Sequence, residues 1–224
     1  MPEVYTVSEK PKALDRQLVL ALEGAGVDRV LDVGANVGQY ARRLRAVGWG
    51  GDILSFEPLP AAHAALEVAA AGDPAWEVAP AVAVGAAAGT GVLERSRESD
   101  MSSLRPQTER LRALSPSSAI AEALTVEVQP LAALVRPRSA AERLFLKIDV
   151  QGGEDAVLDG VGPVWPRLVG IQLELALTRL YVGERGYLET CARLESLGFH
   201  LALVLPGYFE IGRASCRERV CHRV

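Results

Sequence analysis

The chain has 224 residues, enough for one large domain or two small ones. Its 24 Lys and Arg residues against 28 Asp and Glu residues give a formal net charge of −4, which argues against a general nucleic-acid-binding surface. A content of 49% hydrophobic and 23% charged residues is typical of a globular protein that buries a core, and it excludes a chain that is disordered overall.

The first half of the chain predicts strands that alternate with helices. Within 29–47, a short apolar run leads through Gly34 and Gly38 into apolar residues spaced three or four apart, which predicts a strand, a tight turn and a helix. We predict further elements by the same criteria: a strand at 53–56, a helix at 60–71, a third strand at 76–84 and a short extended run at 91–95.

The second half begins with a polar segment, 97–118, rich in Ser, Arg and Pro, which we expect to be an exposed loop with one short helix at 109–114. The alternation then resumes. We predict strands at 125–128, 144–150, 168–175 and 199–205, and helices at 131–135, 154–158 and 184–197. This order of elements is typical of an α/β fold with a doubly wound, mostly parallel sheet and helices on both faces.

The two ends of the chain differ from this pattern. We predict an N-terminal helical segment at 1–27, a principal domain at 28–210 and an atypical basic tail at 211–224. Because the tail lacks the alternation of a buried strand, we interpret it as non-native and expect an incomplete or altered last strand. An uncovered sheet edge would favour pairing with a second copy of the chain.

Cellular location and metal binding are constrained by absences in the sequence. No apolar run has the roughly 18 to 20 residues of a membrane helix, and the first residues lack a secretory signal pattern. Three cysteines, of which Cys191 lies in a predicted helix, are too few for a disulfide framework. The spacing of Cys216, Cys221 and His222 matches no standard zinc site. We expect a cytoplasmic protein with reduced thiols and no membrane association.

Acidic residues end several of the predicted strands: Asp32, Glu57, Asp149 and Glu174. Ligands of open parallel sheets bind beyond the carboxyl ends of the strands, so these carboxylates are candidates for one shared site. A rim of negative charge favours a cationic ligand over a phosphate-containing one.

The turn after the first strand supports the same interpretation. Gly34 and Gly38 allow close backbone approach, and the helix that begins near Asn36 offers free N–H groups. The turn lacks the G-x-G-x-x-G spacing of a dinucleotide site. S-adenosylmethionine, which carries a sulfonium charge and a ribose diol, fits this turn together with Glu57 as the acceptor for the diol.

Four motifs, considered together, resemble the FkbM family of S-adenosylmethionine-dependent methyltransferases. They are DVGANVGQY at 32–40, SFEP at 55–58, LKIDVQG at 146–152 followed by Glu154 and VLDGV, and LELALTRLYVG at 173–183. The resemblance covers about 30–208. It implies a Rossmann-like class I methyltransferase fold that transfers a methyl group to an oxygen, typically a hydroxyl of a sugar or secondary metabolite.

The resemblance also implies residue roles. The cofactor would contact Asp32, Gly34, Asn36, Gly38, Glu57 and Gln151. The acceptor would lie near Ser102 and Ser103, and Asp149 would face the reacting methyl group together with Gln151. We add Glu174 and Tyr181 as candidates for acceptor contact; the alternatives are an ion pair of Glu174 with an arginine and a packing role for Tyr181. The sequence departs from the family at Gly153, where an aromatic residue is usual, and at Ala132, where an acid is usual.

A hydroxyl acceptor needs its proton removed during transfer, and we predict that Asp149 is the general base. Asp149 binding the amino group of the cofactor, or capping the next helix, is an open alternative. So is a divalent metal held by Asp149 with Glu174 or Asp155, although no dense set of metal ligands is present. At the level of function, the alternatives are an NAD-dependent oxidoreductase and an inactive cofactor-binding module.

Overall fold

The computed structural model describes residues 13–97 and 99–204, and the backbone of 209–210, 213–214 and 219–223. The helices are α1 (Ala13–Gly24), α2 (Gln39–Ala46), α3 (Pro60–Ala70), α4 (Glu109–Leu114), α5 (Leu131–Leu134), α6 (Glu154–Asp159) and α7 (Tyr187–Ser196). Short 3₁₀ helices span Ser99–Met101, Pro116–Ser118 and Gly162–Arg167. The strands are β1 (Arg29–Val33), β2 (Asp52–Phe56), β3 (Trp76–Val78), β4 (Ala83–Gly85), β5 (Gly89–Ser96), β6 (Ile120–Pro130), β7 (Leu144–Ile148), β8 (Leu168–Leu173), β9 (Phe199–Val204), β10 (Phe209–Glu210), β11 (Arg213–Ala214) and β12 (Arg219–Arg223).

The main sheet has seven strands in the order β3-β2-β1-β7-β8-β12-β9, and its first five strands are mutually parallel. Buried apolar side chains form one cluster on each face. Leu18, Leu44 and Leu66 of α1, α2 and α3 pack on one face, and Leu131 and Val157 of α5 and α6 pack on the other. The prediction of a doubly wound, mostly parallel sheet is therefore confirmed.

The predicted third strand at 76–84 is wrong in its extent, because the structure divides it into β3 and β4. Between them lies Pro80, which has no N–H to donate to a strand ladder. β4 instead joins a separate three-stranded sheet in the order β4-β6-β5. The predicted run at 91–95 is the centre of β5, which pairs antiparallel with β6 over eight residues.

The expectation of an exposed loop at 97–118 is also corrected, although its short helix is confirmed as α4. Several side chains of this segment are buried: Met101, Ser103, Gln107, Leu111 and Ser118. The Gln107 amide donates to the Ser118 carbonyl at 2.6 Å and to the Ser96 hydroxyl at 3.3 Å. A polar segment can be buried in this way because its polar groups bond to one another and to the backbone.

The tail contributes a strand, which corrects the expectation of an incomplete last strand. β12 lies between β8 and β9 and pairs antiparallel with both. A strand in this position has both backbone edges paired, and this backbone pairing does not require alternating side chains. The side chains of Cys216, Cys221 and His222, and residues 1–12 of the predicted N-terminal segment, lie outside the described residues.

Gly38 shows how tightly α2 packs above the sheet. It precedes α2 with a φ of 87°, and a Cβ at this position would lie 2.8 Å from the Trp76 ring. Gly48, just beyond the other end of the helix, has a φ of 99° and open space around it. The two glycines share a left-handed backbone and differ in their surroundings.

We expect Gly38→Ala to reduce the free energy of unfolding by about 2–4 kcal/mol, because it adds a steric overlap to backbone strain. Gly48→Ala should cost only about 1 kcal/mol, since it adds the strain alone. Urea denaturation of both variants measures the difference. Equal losses would show that Trp76 moves aside without cost.

Candidate active site

A cavity of about 400 Å³ lies beyond the carboxyl ends of β1, β2 and β7. Six of the residues predicted for the site line this cavity: Gly34, Asn36, Glu57, Ser102, Asp149 and Gln151. Five others do not line it: Asp32, Gly38, Ser103, Glu174 and Tyr181. The structure therefore brings together the residues that immediately follow the central strands, and it places the remaining candidates around them.

The position of Asp32 differs from the prediction because of strand register. Asp32 is paired in register with Ser55 on β2 and Lys147 on β7, and Lys147 is paired with Gln172 on β8. These four residues, which we call the polar row, each lie one position before the end of their strand. Glu57, in contrast, follows the end of β2 and lies two residues beyond Ser55.

A second row follows the strand ends. Because side chains alternate along a strand, residues two positions beyond the polar row face the same side of the sheet. They are Gly34, Glu57, Asp149 and Glu174. The residue of β1 that aligns with Glu57 is thus Gly34, and Asp32 lies one step deeper. Its side chain is 0% exposed.

The polar row is connected by hydrogen bonds and one ion pair. The ammonium group of Lys147 lies 2.9 Å from Asp32 Oδ1 and donates to the Gly34 carbonyl at 2.9 Å. The hydroxyl of Ser55 donates to Asp32 Oδ2 at 3.5 Å and accepts from the indole N–H of Trp76 at 3.0 Å. The negative charge of Asp32 is therefore balanced inside the protein.

Lys147 is the main site residue that our sequence analysis missed. Burial favours its neutral form, but Asp32, Asp149 and Glu174 outweigh burial and raise its pKa, so the ammonium stays protonated. It also lines the cavity and lies 5.4 Å from the centre of the Tyr40 ring. A single lysine inside the apolar run LFLKI is the signal that predicts a buried partner of opposite charge.

Gly34 is required by the close approach of β1 and β7. Its φ is 75°, and a Cβ at this position would overlap with the backbone carbonyl of Asp149. Its N–H donates to the Phe56 carbonyl at 3.1 Å, which continues the β1–β2 ladder past the end of the strand. The absence of a side chain keeps the backbone of this turn accessible from the cavity.

Glu57 fixes the same turn from the side of β2. Its two carboxylate oxygens accept backbone N–H groups of Asn36 and Leu59, each at 2.8 Å. Burial raises the pKa of Glu57 to about 7, although the two N–H donors and Lys147 act in the opposite direction. Glu57 therefore combines a structural role with a position on the cavity wall.

The opposite side of the cavity is formed by the turn after β7. The Gln151 amide donates to Asp149 Oδ1 at 2.8 Å, and Lys147 lies 3.9 Å from Asp149 Oδ2. The side chain of Asp149 is 36% exposed, so it is the partly accessible member of this group. Glu154 accepts the N–H groups of Val150 and Gly152 and thereby braces the turn.

The segment at 99–103 forms part of the cavity wall. Asn36 donates to the Ser99 hydroxyl at 3.0 Å, and Ser103 donates to the Gln151 carbonyl at 2.6 Å. The segment at 99–103 is thus joined to both turns. Ser102 lies on the cavity wall between these two contacts.

The structure also bears on a metal site and on membrane association. Among the described side chains, no group of three or more His, Cys, Asp or Glu residues is arranged to hold a metal ion. Asp155, a candidate ligand, instead forms an ion pair with Arg105 at 2.8 Å. No helix in the described part of the chain is long and apolar enough to cross a membrane.

Comparison with known proteins gives the family. A sequence model of a protein family, described as the methyltransferase FkbM domain, matches residues 32–201, which is most of the chain. The chain belongs to the FkbM family of S-adenosylmethionine-dependent methyltransferases. The match begins at Asp32 and includes the turns after β1, β2 and β7 that form the cavity. No curated protein matches the chain in sequence.

Solved structures show that the fold is that of class I methyltransferases. Magnesium protoporphyrin IX methyltransferase from Synechocystis PCC 6803 with bound SAM has a TM-score of 0.52 and 12% identity, over 94% of this chain and 78% of that chain. The same protein with bound SAH gives a TM-score of 0.51 and 12% identity, over 94% of this chain and 82% of that chain. TehB from Haemophilus influenzae gives a TM-score of 0.50 and 9% identity, over 93% of this chain and 62% of that chain.

The two departures from the family pattern lie in different places. Gly153 lines the cavity next to the turn after β7. Ala132 lies outside the cavity lining, and its N–H donates to the Gly160 carbonyl at 3.0 Å. Of the two, Gly153 is therefore the one that shapes the cavity.

The raised pKa of Glu57 predicts a specific pH dependence of stability. The folded protein holds the proton on the Glu57 carboxyl more tightly than the unfolded chain does. The contribution of this proton to the free energy of unfolding is therefore complete below pH 4.5 and is lost as the pH rises through about 7. A shift of this size corresponds to roughly 3 kcal/mol. Glu154, with a pKa raised by burial to about 8, acts in the same direction.

Chemical denaturation between pH 4.5 and 8 tests this point. We expect Glu57→Gln to flatten the decline of the unfolding free energy, whereas Glu23→Gln, at an exposed position in α1, should preserve it. An unchanged slope in Glu57→Gln would mean that Glu57 does not titrate in this range.

Proposed function

We propose that the protein is an O-methyltransferase that binds S-adenosylmethionine in the cavity and methylates a hydroxyl group of a sugar or secondary metabolite. The observation that carries this proposal is the row of Gly34, Glu57 and Asp149 at the strand ends. In one cavity, Gly34 provides an open backbone turn, Glu57 can accept hydrogen bonds from hydroxyl groups, and Asp149 provides a partly exposed carboxylate. Membership of the FkbM family supports the reaction type.

The cavity fits the proposed cofactor in size and in chemistry. Its volume of about 400 Å³ lies within the range of small-molecule sites. Leu59, Val82 and Ala83 provide an apolar wall suited to an adenine ring, and Glu57 can accept hydrogen bonds from a ribose diol. The bare turn at Gly34 leaves room for the amino-acid portion.

The ion pair changes the electrostatic argument made from sequence. Asp32 does not supply a free negative charge, because Lys147 balances it. The carboxylates that reach the cavity wall near the strand ends are Glu57 and Asp149. We infer that the preference for a positively charged ligand depends on Asp149, joined by Glu57 once the pH rises through its pKa of about 7, and that Asp32 supports the turn from below.

Asp149 would act as the general base. Bound S-adenosylmethionine supplies a methyl group that is already activated by the sulfonium charge. A hydroxyl oxygen is a weak nucleophile, so a carboxylate that accepts its proton accelerates the transfer. Asp149 has the required exposure, and Gln151 and Lys147 hold its two oxygens in place. Ser102 and Arg105 line the wall on which the acceptor would lie.

We expect the purified protein to form S-adenosylhomocysteine when it is supplied with S-adenosylmethionine and a panel of hydroxylated sugars and natural products. Asp149→Asn should reduce kcat by about 10²–10⁴-fold, as is typical for loss of a general base. The affinity for S-adenosylhomocysteine, measured by calorimetry, should change much less than kcat.

Asp159→Asn is the matched control, because Asp159 pairs with Arg193 away from the cavity. We expect this variant to keep the wild-type kcat. Equal loss of affinity and turnover in Asp149→Asn would instead assign Asp149 to cofactor binding. Cofactor binding without turnover on any acceptor would favour an inactive binding module. Binding of NAD in place of S-adenosylmethionine would contradict the proposal entirely.

A further inference from the structure

We propose that Gln151 is a positioning residue that holds the Asp149 carboxylate in place, and that Tyr181 supports the amide orientation that Asp149 and Glu174 define. This inference rests on the proposed role of Asp149 as general base. It replaces the roles expected from sequence, in which Gln151 contacts the cofactor and Tyr181 contacts the acceptor.

The hydrogen bonds of the Gln151 amide carry the argument. Its Nε2 group donates to Asp149 Oδ1 at 2.8 Å and to Glu174 Oε2 at 3.2 Å, and its Oε1 accepts from the Tyr181 hydroxyl at 3.1 Å. Both N–H groups and the carbonyl are thus bonded within the protein. Because Gln151 is only 8% exposed, its amide is committed to these neighbours.

These partners define a single orientation of the amide. If the group were reversed, its oxygen would face the carboxylates of Asp149 and Glu174, and both of these contacts would be repulsive. Its nitrogen would then face Tyr181. In the observed orientation, the amide nitrogen of Gln151 donates to both carboxylates. It therefore links Asp149, which follows β7, to Glu174, which follows β8.

The backbone of Gln151 is held as firmly as its side chain. Its φ is 56°, a left-handed conformation that costs about 1–3 kcal/mol for a residue other than glycine. Ser103 donates to its carbonyl at 2.6 Å. The next residue, Gly152, packs so closely on Tyr181 that a Cβ would lie 2.6 Å from the Tyr181 Cβ and 2.7 Å from its ring. Such strain persists only where the surroundings enforce it.

Asp149 is therefore held on both sides. Gln151 binds Oδ1, while the Lys147 ammonium lies 3.9 Å from Oδ2. Two contacts on different oxygens restrict rotation of the carboxylate. A base held in a fixed direction accepts a proton more effectively than one that samples many directions, and a displacement of about 1 Å can cost about 10²-fold in rate.

The test uses Gln151→Met, which keeps the length of the side chain and removes its hydrogen bonds. We expect kcat to fall about 10- to 100-fold, while the dissociation constant of S-adenosylhomocysteine stays within about threefold of the wild-type value. Tyr181→Phe should reduce kcat by a smaller factor, because the two carboxylates still orient the amide.

Gln107→Met is the matched control for loss of a buried amide. Gln107 is 3% exposed and bonds to Ser96 and Ser118 rather than to Asp149. Its variant should lose stability and keep the wild-type kcat. Unchanged kcat in Gln151→Met would overturn the proposal, and so would a loss of cofactor affinity as large as the loss of kcat.

The double variant Gln151→Met/Asp149→Asn separates this inference from the proposed function. If Gln151 acts through Asp149, the second change should have no further effect on kcat beyond that of Asp149→Asn. Full activity in Asp149→Asn would reject the general base itself. A large loss in Asp149→Asn with none in Gln151→Met would reject positioning and leave the proposed function intact.

A readout that does not depend on turnover completes the test. Crystal structures of the wild-type protein and Gln151→Met with S-adenosylhomocysteine should show the Asp149 carboxylate rotated or displaced in the variant. The same carboxylate position in both structures would contradict a positioning role for Gln151.

Discussion

The site depends on the buried polar row that crosses the centre of the main sheet. Ser55, Asp32, Lys147 and Gln172 occupy matching register positions on four parallel strands, and each is less than a tenth exposed. A buried charge without a partner is strongly unfavourable, and breaking such a pair typically costs about 3–5 kcal/mol. The ion pair of Asp32 and Lys147 therefore ties β1 to β7 directly below the cavity.

The groups proposed to act on the ligand lie two residues further along the same strands. Lys147 also donates to the carbonyl of Gly34 and lies near Asp149, so one ammonium group contacts the polar row and the turns after β1 and β7. Glu57 joins the turn after β1 to the end of β2. This arrangement separates two roles. The buried row fixes the strand ends, and the residues that follow β1, β2 and β7 line the cavity.

The sequence was sufficient for the alternation of strands and helices as far as β9, since apolar runs and glycine turns depend on local periodicity. It merged β3 with β4 and did not show β12. It was also sufficient to identify Glu57 and Asp149 as residues of one sheet edge. It did not reveal that Asp32 belongs to a deeper row, because register is a relation between strands. The contact between Gln151 and Tyr181 was equally hidden, since it joins residues 30 positions apart.

A crystal structure of the protein with S-adenosylhomocysteine tests the central claim most directly. We expect the ligand to lie between the turn at Gly34 and Glu57, with its sulfur facing Asp149 and with Asp32 still paired with Lys147 beneath it. A ligand bound elsewhere, or an Asp32 side chain that leaves Lys147 to contact the ligand, would contradict it.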